Sequence, residues 1–327
     1  MSTLQSPSST TDLEHLEEDG PSQECKDVNI EKGQLSEYHG FWIPTWSLEG
    51  VMASQKQFQA HDTDILLVTA PKVGTTWSKA ILFALVNWMH HPNLQEHPLL
   101  TNLPHALVPI LEGDMYNEKK VKDLNHASPR LLSTHMPYTL LPTSVKNSTC
   151  KIMYVYRNPK DTFVSLWHFV NRVHSTTVSF EETFDKFCRG MSPFGPYWNH
   201  VLSCWKESIE KPGKRYCEND ILILCSFDNL CNLEVNKNRR FRIPNHETAL
   251  FRQGIDHASF FCRGNSGDWV NYFTPHMTKR LDHIIEEKIY ARRYPRSHAV
   301  LMTPPKSHIV LKTQLKIITE NDMNPLL

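Results

Sequence analysis

The segment DILLVTAPKVGTTW, residues 64 to 77, constrains the fold of this chain most, because it joins a strand to a helix through a short loop. Ile65 to Val68 is a short apolar run, which predicts a buried strand that Pro71 ends. Gly74 lets the backbone pass close to a ligand. Apolar side chains at helical spacing then predict a helix; they are Ala80, Ile81, Ala84, Leu85 and Trp88.

The start of this predicted helix is suited to bind an anion. Free backbone N–H groups and the positive end of the helix dipole favour a phosphate there, and Lys72 brings a mobile charge. Thr75 and Thr76 add hydroxyl groups. The nucleotide P-loop motif is excluded, since Lys72 precedes the loop's glycine instead of following it. An ordinary strand–turn–helix corner remains the alternative explanation of this segment taken alone.

Two further segments suit the same kind of ligand. In KIMYVYRNPKDTFVSLWHF, residues 151 to 169, a strand-like run is followed by Arg157, and Ser165 lies about two turns into the next predicted helix. An Arg at the end of a strand can bind a phosphate with two hydrogen bonds. In FFCRGNSGDWVNYF, residues 260 to 273, glycines around Arg263 predict a loop that folds over a ligand.

Composition predicts one intracellular α/β domain. The chain has 327 residues, of which 40% are hydrophobic, and helix and strand signals alternate. We therefore expect a central, mainly parallel sheet flanked by helices, with a P-loop-like loop at its edge. The eight cysteines, without an N-terminal apolar signal, predict free thiols in the cytoplasm. Neither His nor Cys has metal-site spacing, so no metal is expected.

Charge separates the two ends from the middle. Residues 1–37 hold nine acids and two bases and few aromatic residues, which predicts a disordered acidic tail. Residues 38–288 form the predicted domain with a net charge of +3, and residues 289–327 form a tail of net charge +4. A charge this small gives no signal for nucleic acid, and no run of apolar residues suggests a membrane span.

Together these segments resemble the cytosolic sulfotransferase family, which transfers a sulfuryl group from 3′-phosphoadenosine 5′-phosphosulfate (PAPS) to a hydroxyl. The three signatures are PKVGTTW, YRNPKDTFVSLWHF and RGNSGDW, and the similarity runs from about Tyr38 to Glu287 with one interruption. Other blocks, such as PHALVP, SPRLLSTHMPY and CSFDNLCNLEVNK, resemble the plant branch typified by flavonol sulfotransferases. The resemblance implies a small hydroxylated acceptor, with flavonols first; brassinosteroids, hydroxyjasmonates and desulfo-glucosinolates stay open.

The resemblance also implies a role for each site residue. His135, in STHMP, matches the catalytic histidine, and Lys72 would contact the bridging oxygen of the phosphosulfate. The rest of the cofactor site divides between the 5′-phosphate loop (Val73, Gly74, Thr75, Thr76), the 3′-phosphate (Arg157, Ser165, Arg263, Gly264) and the adenine (Trp77, Ser226, Phe227).

The chemistry of sulfuryl transfer explains these residue types. Like phosphoryl transfer, it needs in-line geometry and stabilisation of charge more than covalent help. The acceptor hydroxyl must lose its proton, and a histidine can accept it near neutral pH. Among 18 histidines His135 is distinguished by its place, because it ends the apolar run at Leu131 and Leu132 and precedes Pro137, at a strand-to-loop edge.

The chain departs from the family pattern between Lys214 and Ile221, where a strand and its flanking helices are missing. That segment normally adds a tyrosine to the adenine site, and Cys262 stands where a basic residue is usual. Two hypotheses follow: an active PAPS-dependent sulfotransferase, or a truncated, non-catalytic relative with weak or no nucleotide binding. A nucleotide kinase ranks third, since no Walker lysine is present. The oligomeric state is not predicted.

Overall fold

A computed structural model describes residues 27–30, 33–91, 93–114, 128–174, 177–210, 227–241, 254–260 and 267–290. Its strands are β1 (Asp27–Ile30), β2 (Gly33–Tyr38), β3 (Phe41–Pro44), β4 (Ile65–Thr69), β5 (Leu131–Thr134), β6 (Lys151–Val155), β7 (Arg240–Phe241) and β8 (Ile255–Asp256). Its α-helices are α1 (Thr45–Gln57), α2 (Thr75–Val86), α3 (Pro104–Leu107), α4 (Leu111–Asp114), α5 (Thr143–Asn147), α6 (Pro159–His174), α7 (Phe180–Cys188), α8 (Tyr197–Glu210), α9 (Phe227–Asn232), α10 (Glu234–Lys237) and α11 (Pro275–Ile285).

The central sheet is parallel and has β4 in the middle. Its strand order is β5-β4-β6, with Val68 opposite both Thr134 of β5 and Tyr154 of β6. Leu66, Leu67 and Val68 of β4 are buried on both faces, as the apolar run predicts for a strand covered by helices. The predicted α/β fold with a mainly parallel sheet and flanking helices is confirmed.

A second, antiparallel sheet precedes the central one and includes part of the segment predicted to be an acidic tail. Strands β1, β2 and β3 pair in that order, and the side chains of Leu35 and Ile43 are buried. The acidic tail is predicted up to residue 37, but residues 27–30 and 33–37 lie in paired strands, because β2 has a partner strand on each side and the side chain of Leu35 is buried. Residues 1–26 and 291–327 lie outside the described residues.

Two helix starts follow from their capping residues. Ser179 accepts a hydrogen bond from the backbone N–H of Glu182 at the start of α7, as the capping box predicts. Thr274 accepts one from the N–H of Met277 at the start of α11, and Pro275 occupies the first helical position. Within the described ranges no helix is both long and apolar enough to cross a bilayer.

Candidate active site

The predicted site residues converge at one edge of the central sheet. Parallel strands end at the same edge, so whatever follows Thr69, Thr134 and Val155 lies close together. The loop to α2 follows β4, His135 follows β5, and Arg157 lies two residues beyond β6. The register of the sheet therefore brings the cradle loop, His135 and Arg157 to one edge.

The loop between β4 and α2 forms an open cradle. Gly74 caps α2 with φ 114°, a left-handed conformation, and a Cβ built on it would meet no atom within 4 Å. The first N–H groups of a helix have no partner within the helix, so this open space faces hydrogen-bond donors. Val73 turns inward instead: its side chain is buried in the core that contains Phe163. Only the backbone of Val73 is therefore suited to contact a ligand.

Lys72 and Arg157 meet at the rim of this cradle. Lys72 has φ 67°, an uncommon conformation for a residue with a side chain, and its ammonium lies 4.2 Å from the ring centre of Phe169. The guanidinium of Arg157 approaches the Lys72 carbonyl at 3.5 Å. Tyr197 holds the Arg157 backbone, because its hydroxyl donates to the Arg157 carbonyl and accepts from its N–H at 3.2 Å. Two cations are thus fixed beside the helix N-terminus.

The ring of His135 is held in one tautomer. Nδ1 lies 2.7 Å from the carbonyl oxygen of Thr69, which can only accept, so Nδ1 carries the proton. Nε2 then carries the lone pair in the neutral ring. Burial lowers the pKa of His135 to about 3, against the opposing effect of the Thr69 hydrogen bond. The ring is therefore neutral at pH 7, with Nε2 able to accept a proton.

The backbone of His135 is held on both sides by buried side chains. Its N–H donates to Glu112 Oε1 at 2.6 Å, and Thr134 donates to the other oxygen of Glu112 at 2.7 Å. Its carbonyl lies 3.0 Å from Nε2 of His200, a fully buried residue of α8. Because that carbonyl only accepts, His200 Nε2 is protonated, and the Tyr154 hydroxyl donates to His200 Nδ1 at 3.0 Å.

Burial shifts the pKa values of these supporting groups. It lowers the pKa of His200 to about 4 and raises the pKa of Glu112, which the hydrogen bonds from Thr134 and His135 oppose. It also raises the pKa of Tyr154 well above its ordinary value. At neutral pH His200 is thus uncharged and the Tyr154 hydroxyl keeps its proton, as the hydrogen-bond pattern requires.

A second histidine contacts the cradle at Thr76. His105 Nε2 lies 3.0 Å from the Thr76 hydroxyl, and Nδ1 lies 3.0 Å from the ammonium of Lys79. Lys79 has no exposed surface and also donates to the Val108 carbonyl at 2.9 Å. Burial, followed by the charge of Lys79, lowers the pKa of His105 well below its ordinary value. The neighbouring Thr75 hydroxyl instead bonds that of Thr69 at 2.8 Å.

Of the remaining predicted cofactor residues, the structure describes the side chains of Ser165 and Trp77. Ser165 is buried in α6, and Trp77 is half-buried against the cluster that contains Leu99. Phe227 begins α9, but its side chain lies outside the described residues. Ser226, Arg263 and Gly264 also lie outside the described residues.

The described residues flanking Arg263 and Gly264 lie near the site. Before them, the Ser259 carbonyl accepts from Lys72 at 3.4 Å, and the Phe260 ring lies 4.5 Å from that of His105. After them, the Gly267 N–H donates to the carboxylate of Asp161, in the first turn of α6, at 2.9 Å. Both ends of the predicted late loop are thus attached beside the cradle.

The residues that support the site were not predicted from the sequence. Lys79 lies three positions after Thr76, so helical spacing alone would have placed it beside that threonine. Glu112, Tyr154, His200 and Tyr197 reach the site from distant parts of the chain, and no local pattern marks them. In the part of the chain that the structure describes, no group of three or more His, Cys, Asp or Glu side chains could hold a metal.

Comparisons with known proteins identify the family of this chain. The sulfotransferase domain model matches residues 62–217 and 209–292. Cytosolic sulfotransferase 5 of Arabidopsis thaliana is 40% identical over an alignment of 295 positions, which takes up 78% of this chain and 88% of the relative. Flavonol 4′-sulfotransferase of Flaveria chlorifolia is 36% identical over an alignment of 312 positions, which takes up 83% of this chain and 92% of the relative.

Solved structures agree with the sequence matches. An Arabidopsis thaliana sulphotransferase aligns with a TM-score of 0.60 and 32% identity, covering 85% of this chain and 93% of the other. A mouse sulfotransferase solved with PAP aligns with a TM-score of 0.56 and 26% identity, covering 80% of this chain and 96% of the other. The family match spans most of this sequence and includes the cradle, His135 and Arg157. The chain therefore belongs to the sulfotransferase family.

Proposed function

We propose that this chain transfers a sulfuryl group from PAPS to the hydroxyl of a small plant metabolite, with flavonols first among the acceptors. The observation that carries the proposal is the fixed tautomer of His135 beside an anion cradle. A neutral histidine with an available Nε2 and a helix N-terminus bordered by two cations are the groups that the reaction needs.

In this proposal the cradle binds the 5′-phosphosulfate. The backbone of Val73 and Gly74 and the hydroxyls of Thr75 and Thr76 donate to the 5′-phosphate, and Lys72 contacts the bridging oxygen. Lys72 then stabilises the negative charge left on that oxygen when its bond to sulfur breaks. The ammonium of Lys72 lies over the ring of Phe169 and 3.4 Å from the Ser259 carbonyl, beside the start of α2, and this position supports the role.

His135 acts as the base. Its Nε2 accepts the proton of the acceptor hydroxyl as the acceptor oxygen forms its bond to sulfur. Glu112 and His200 fix the backbone of His135, and Thr69 fixes its ring, so the lone pair keeps one direction. Such fixed geometry is a large part of catalysis by orientation.

The rest of PAPS is assigned to residues around the cradle. Arg157 and Ser165 would bind the 3′-phosphate together with Arg263 and Gly264, and Trp77, Ser226 and Phe227 would contact the adenine. Tyr197 supports the first assignment, because it holds the backbone of Arg157. The partial burial of Trp77 against the Leu99 cluster leaves one part of its ring accessible. PAP bound to the mouse sulfotransferase supports a nucleotide of this kind.

Acceptor and location are proposed from the relatives. The Flaveria enzyme named for a flavonol favours flavonols, and the Arabidopsis relatives named cytosolic favour the cytoplasm. Phe169, whose ring lies beside Lys72, is an aromatic group suited to a flat phenolic acceptor. We propose no nucleic acid or membrane partner and no metal.

Transfer of labelled sulfate from PAPS to a panel of flavonols, steroids and hydroxyjasmonates tests the proposal. Labelled product with at least one acceptor is expected from the wild-type chain and not from His135→Ala, the matched control. PAP binding should be measured for both by calorimetry. A wild-type chain that binds PAP but labels no acceptor would leave a nucleotide-binding, non-catalytic protein.

A specific observation favours that second function. The 295-position alignment with the Arabidopsis relative takes up 78% of this chain, about 255 of its 327 residues, so about 40 positions have no counterpart here. The two family matches meet at residues 209–217, next to the proposed gap between Lys214 and Ile221. Loss of a core strand could remove much of the roughly 5 to 15 kcal/mol that stabilises a typical domain.

Thermal melts with and without PAP separate the two functions. The native chain is compared with one that carries a plant relative's segment between Lys214 and Ile221. A higher melting temperature and tighter PAP binding in the repaired chain would favour the non-catalytic function for the native one. Equal melting temperatures and equal shifts with PAP would show that the chain tolerates the gap.

A further inference from the structure

Lys79 is a fully buried lysine in the helix that forms the cradle. Its ammonium donates to two neutral groups, His105 Nδ1 at 3.0 Å and the Val108 carbonyl at 2.9 Å. Burying an ammonium is costly unless it is hydrogen-bonded. Lys79 lies one turn after Thr76, so both side chains lie on the same side of α2 and reach the same histidine.

The direction of each hydrogen bond follows from the donors. An ammonium has protons to donate and no lone pair, so His105 Nδ1 accepts from Lys79. A neutral imidazole that accepts at Nδ1 carries its proton at Nε2, which therefore donates to the Thr76 hydroxyl oxygen. Because Thr76 accepts from His105, its own hydroxyl proton is directed to another acceptor.

We propose that Lys79 and His105 are positioning residues that turn the hydroxyl proton of Thr76 toward the phosphate-type anion bound in the cradle. The inference rests on the proposed function, since the anion is the 5′-phosphate end of the nucleotide. Neither residue touches the anion itself. Lys79 sets the tautomer of His105, and His105 sets the direction in which Thr76 donates.

The neighbouring threonine shows that this arrangement is specific to Thr76. The Thr75 hydroxyl bonds that of Thr69, which belongs to the strand and also lies 3.3 Å from His135 Nδ1. The Thr76 hydroxyl bonds His105, which lies on α3, outside the sheet. The two hydroxyls of one loop thus have different partners: Thr75 bonds Thr69, which also contacts the base, and Thr76 bonds His105, which Lys79 holds.

The test compares two nucleotides on the full chain by calorimetry. PAP carries a 5′-phosphate, and adenosine 3′-phosphate lacks it. His105→Leu should weaken PAP about five- to thirtyfold and leave adenosine 3′-phosphate within about twofold. His105→Gln, the matched control, keeps an acceptor for Lys79 and a donor for Thr76, so PAP should bind within about threefold of wild type.

A double variant shows whether the effect passes through Thr76. In a Thr76→Val background, His105→Leu should weaken PAP by less than about twofold more, because the hydroxyl it orients is gone. Equal weakening of both nucleotides by His105→Leu, equal PAP affinity of the Leu and Gln variants, or full additivity with Thr76→Val would overturn the inference.

A variant that does not fold and a wild-type chain that does not bind PAP also have defined consequences for the inference. If His105→Leu shows no cooperative melt, Lys79→Met replaces it, with the same expected ratio between the two nucleotides. If the wild-type chain does not bind PAP, the proposed function fails and the inference fails with it. Wild-type binding of PAP with unchanged binding by the variants overturns the inference alone.

Discussion

His135 and His105 both lie beside the cradle and differ in what holds their rings. Burial lowers the pKa of both, so both are neutral at pH 7. His135 donates from Nδ1 to the Thr69 carbonyl, which leaves the lone pair of Nε2 to take the proton of the substrate hydroxyl. His105 bonds Lys79 at one nitrogen and Thr76 at the other. A lowered pKa therefore does not identify the base, whereas an available nitrogen does.

The two sides also differ in how their backbone is supported. On the side of the base, Glu112 and His200 bond the N–H and the carbonyl of His135. On the side of the cradle, binding groups are backbone N–H groups at the start of α2, which the helix itself orients. We therefore expect substitutions on the base side to change turnover and those on the cradle side to change nucleotide affinity.

The largest expected effect is that of His135→Ala. A positioned general base contributes about 10²- to 10⁴-fold, so kcat should fall by that factor. The Kd for PAP should change by less than about threefold, because Nε2 acts on the acceptor hydroxyl. Rate measurements at saturating PAP and calorimetry with PAP give the two numbers.

Losing PAP affinity as severely as turnover would place His135 in the cofactor site. His105→Gln is the matched control, because it changes the histidine that contacts Thr76 and keeps both of its hydrogen bonds. Its kcat should stay within about threefold of wild type.

On the cradle side, Arg157→Ala should act on binding. Loss of a charge-assisted hydrogen bond costs about 1.5 to 3 kcal/mol, which is about 10- to 150-fold in the Kd for PAPS. Adenosine 5′-phosphosulfate lacks the 3′-phosphate, so its affinity should change by less than about threefold. Competition with labelled PAP measures both. Equal weakening of the two nucleotides would move Arg157 away from the 3′-phosphate.

The residues of the cradle could be predicted from local patterns in the sequence. Gly74, Thr75 and Thr76 lie in one segment, and their position at a helix start follows from strand and helix periodicity. His135 and Arg157 were placed because they follow apolar runs, and parallel strands bring such positions together. Glu112 and His200 were missed, because their contacts with His135 span 23 and 65 residues, a separation that only the folded packing closes.

We expect acid to lower the stability of the folded protein, because burial keeps His135 and His200 neutral in the folded state. The folded-state pKa values of His135 and His200, about 3 and about 4, lie below the ordinary 6.5, so below pH 6.5 the unfolded chain binds more protons. Stability is therefore complete above pH 6.5 and falls with pH, by roughly 2 kcal/mol per histidine at pH 5. Urea unfolding at pH 7.5 and pH 5 measures the fall.

His200→Gln isolates the contribution of one histidine. Its amide keeps a donor near the His135 carbonyl but does not titrate, so its loss of stability between pH 7.5 and pH 5 should be smaller by about 2 kcal/mol. An identical loss in wild type and variant would mean that His200 titrates normally in the folded protein.

The smallest expected effects come from two tyrosines, Tyr154 and Tyr197, whose replacement by Phe makes the same chemical change on the two sides of the comparison. Tyr154→Phe removes the donor to His200 Nδ1, so the imidazole that donates to the His135 carbonyl is held by one hydrogen bond fewer. His135 then loses one support, and kcat should fall about two- to tenfold with the Kd for PAP unchanged. Tyr197→Phe instead releases the backbone of Arg157, so the Kd for PAP should rise by a similar factor with kcat nearly unchanged. Effects of both variants on the same parameter would show that the two sides of the site do not act separately.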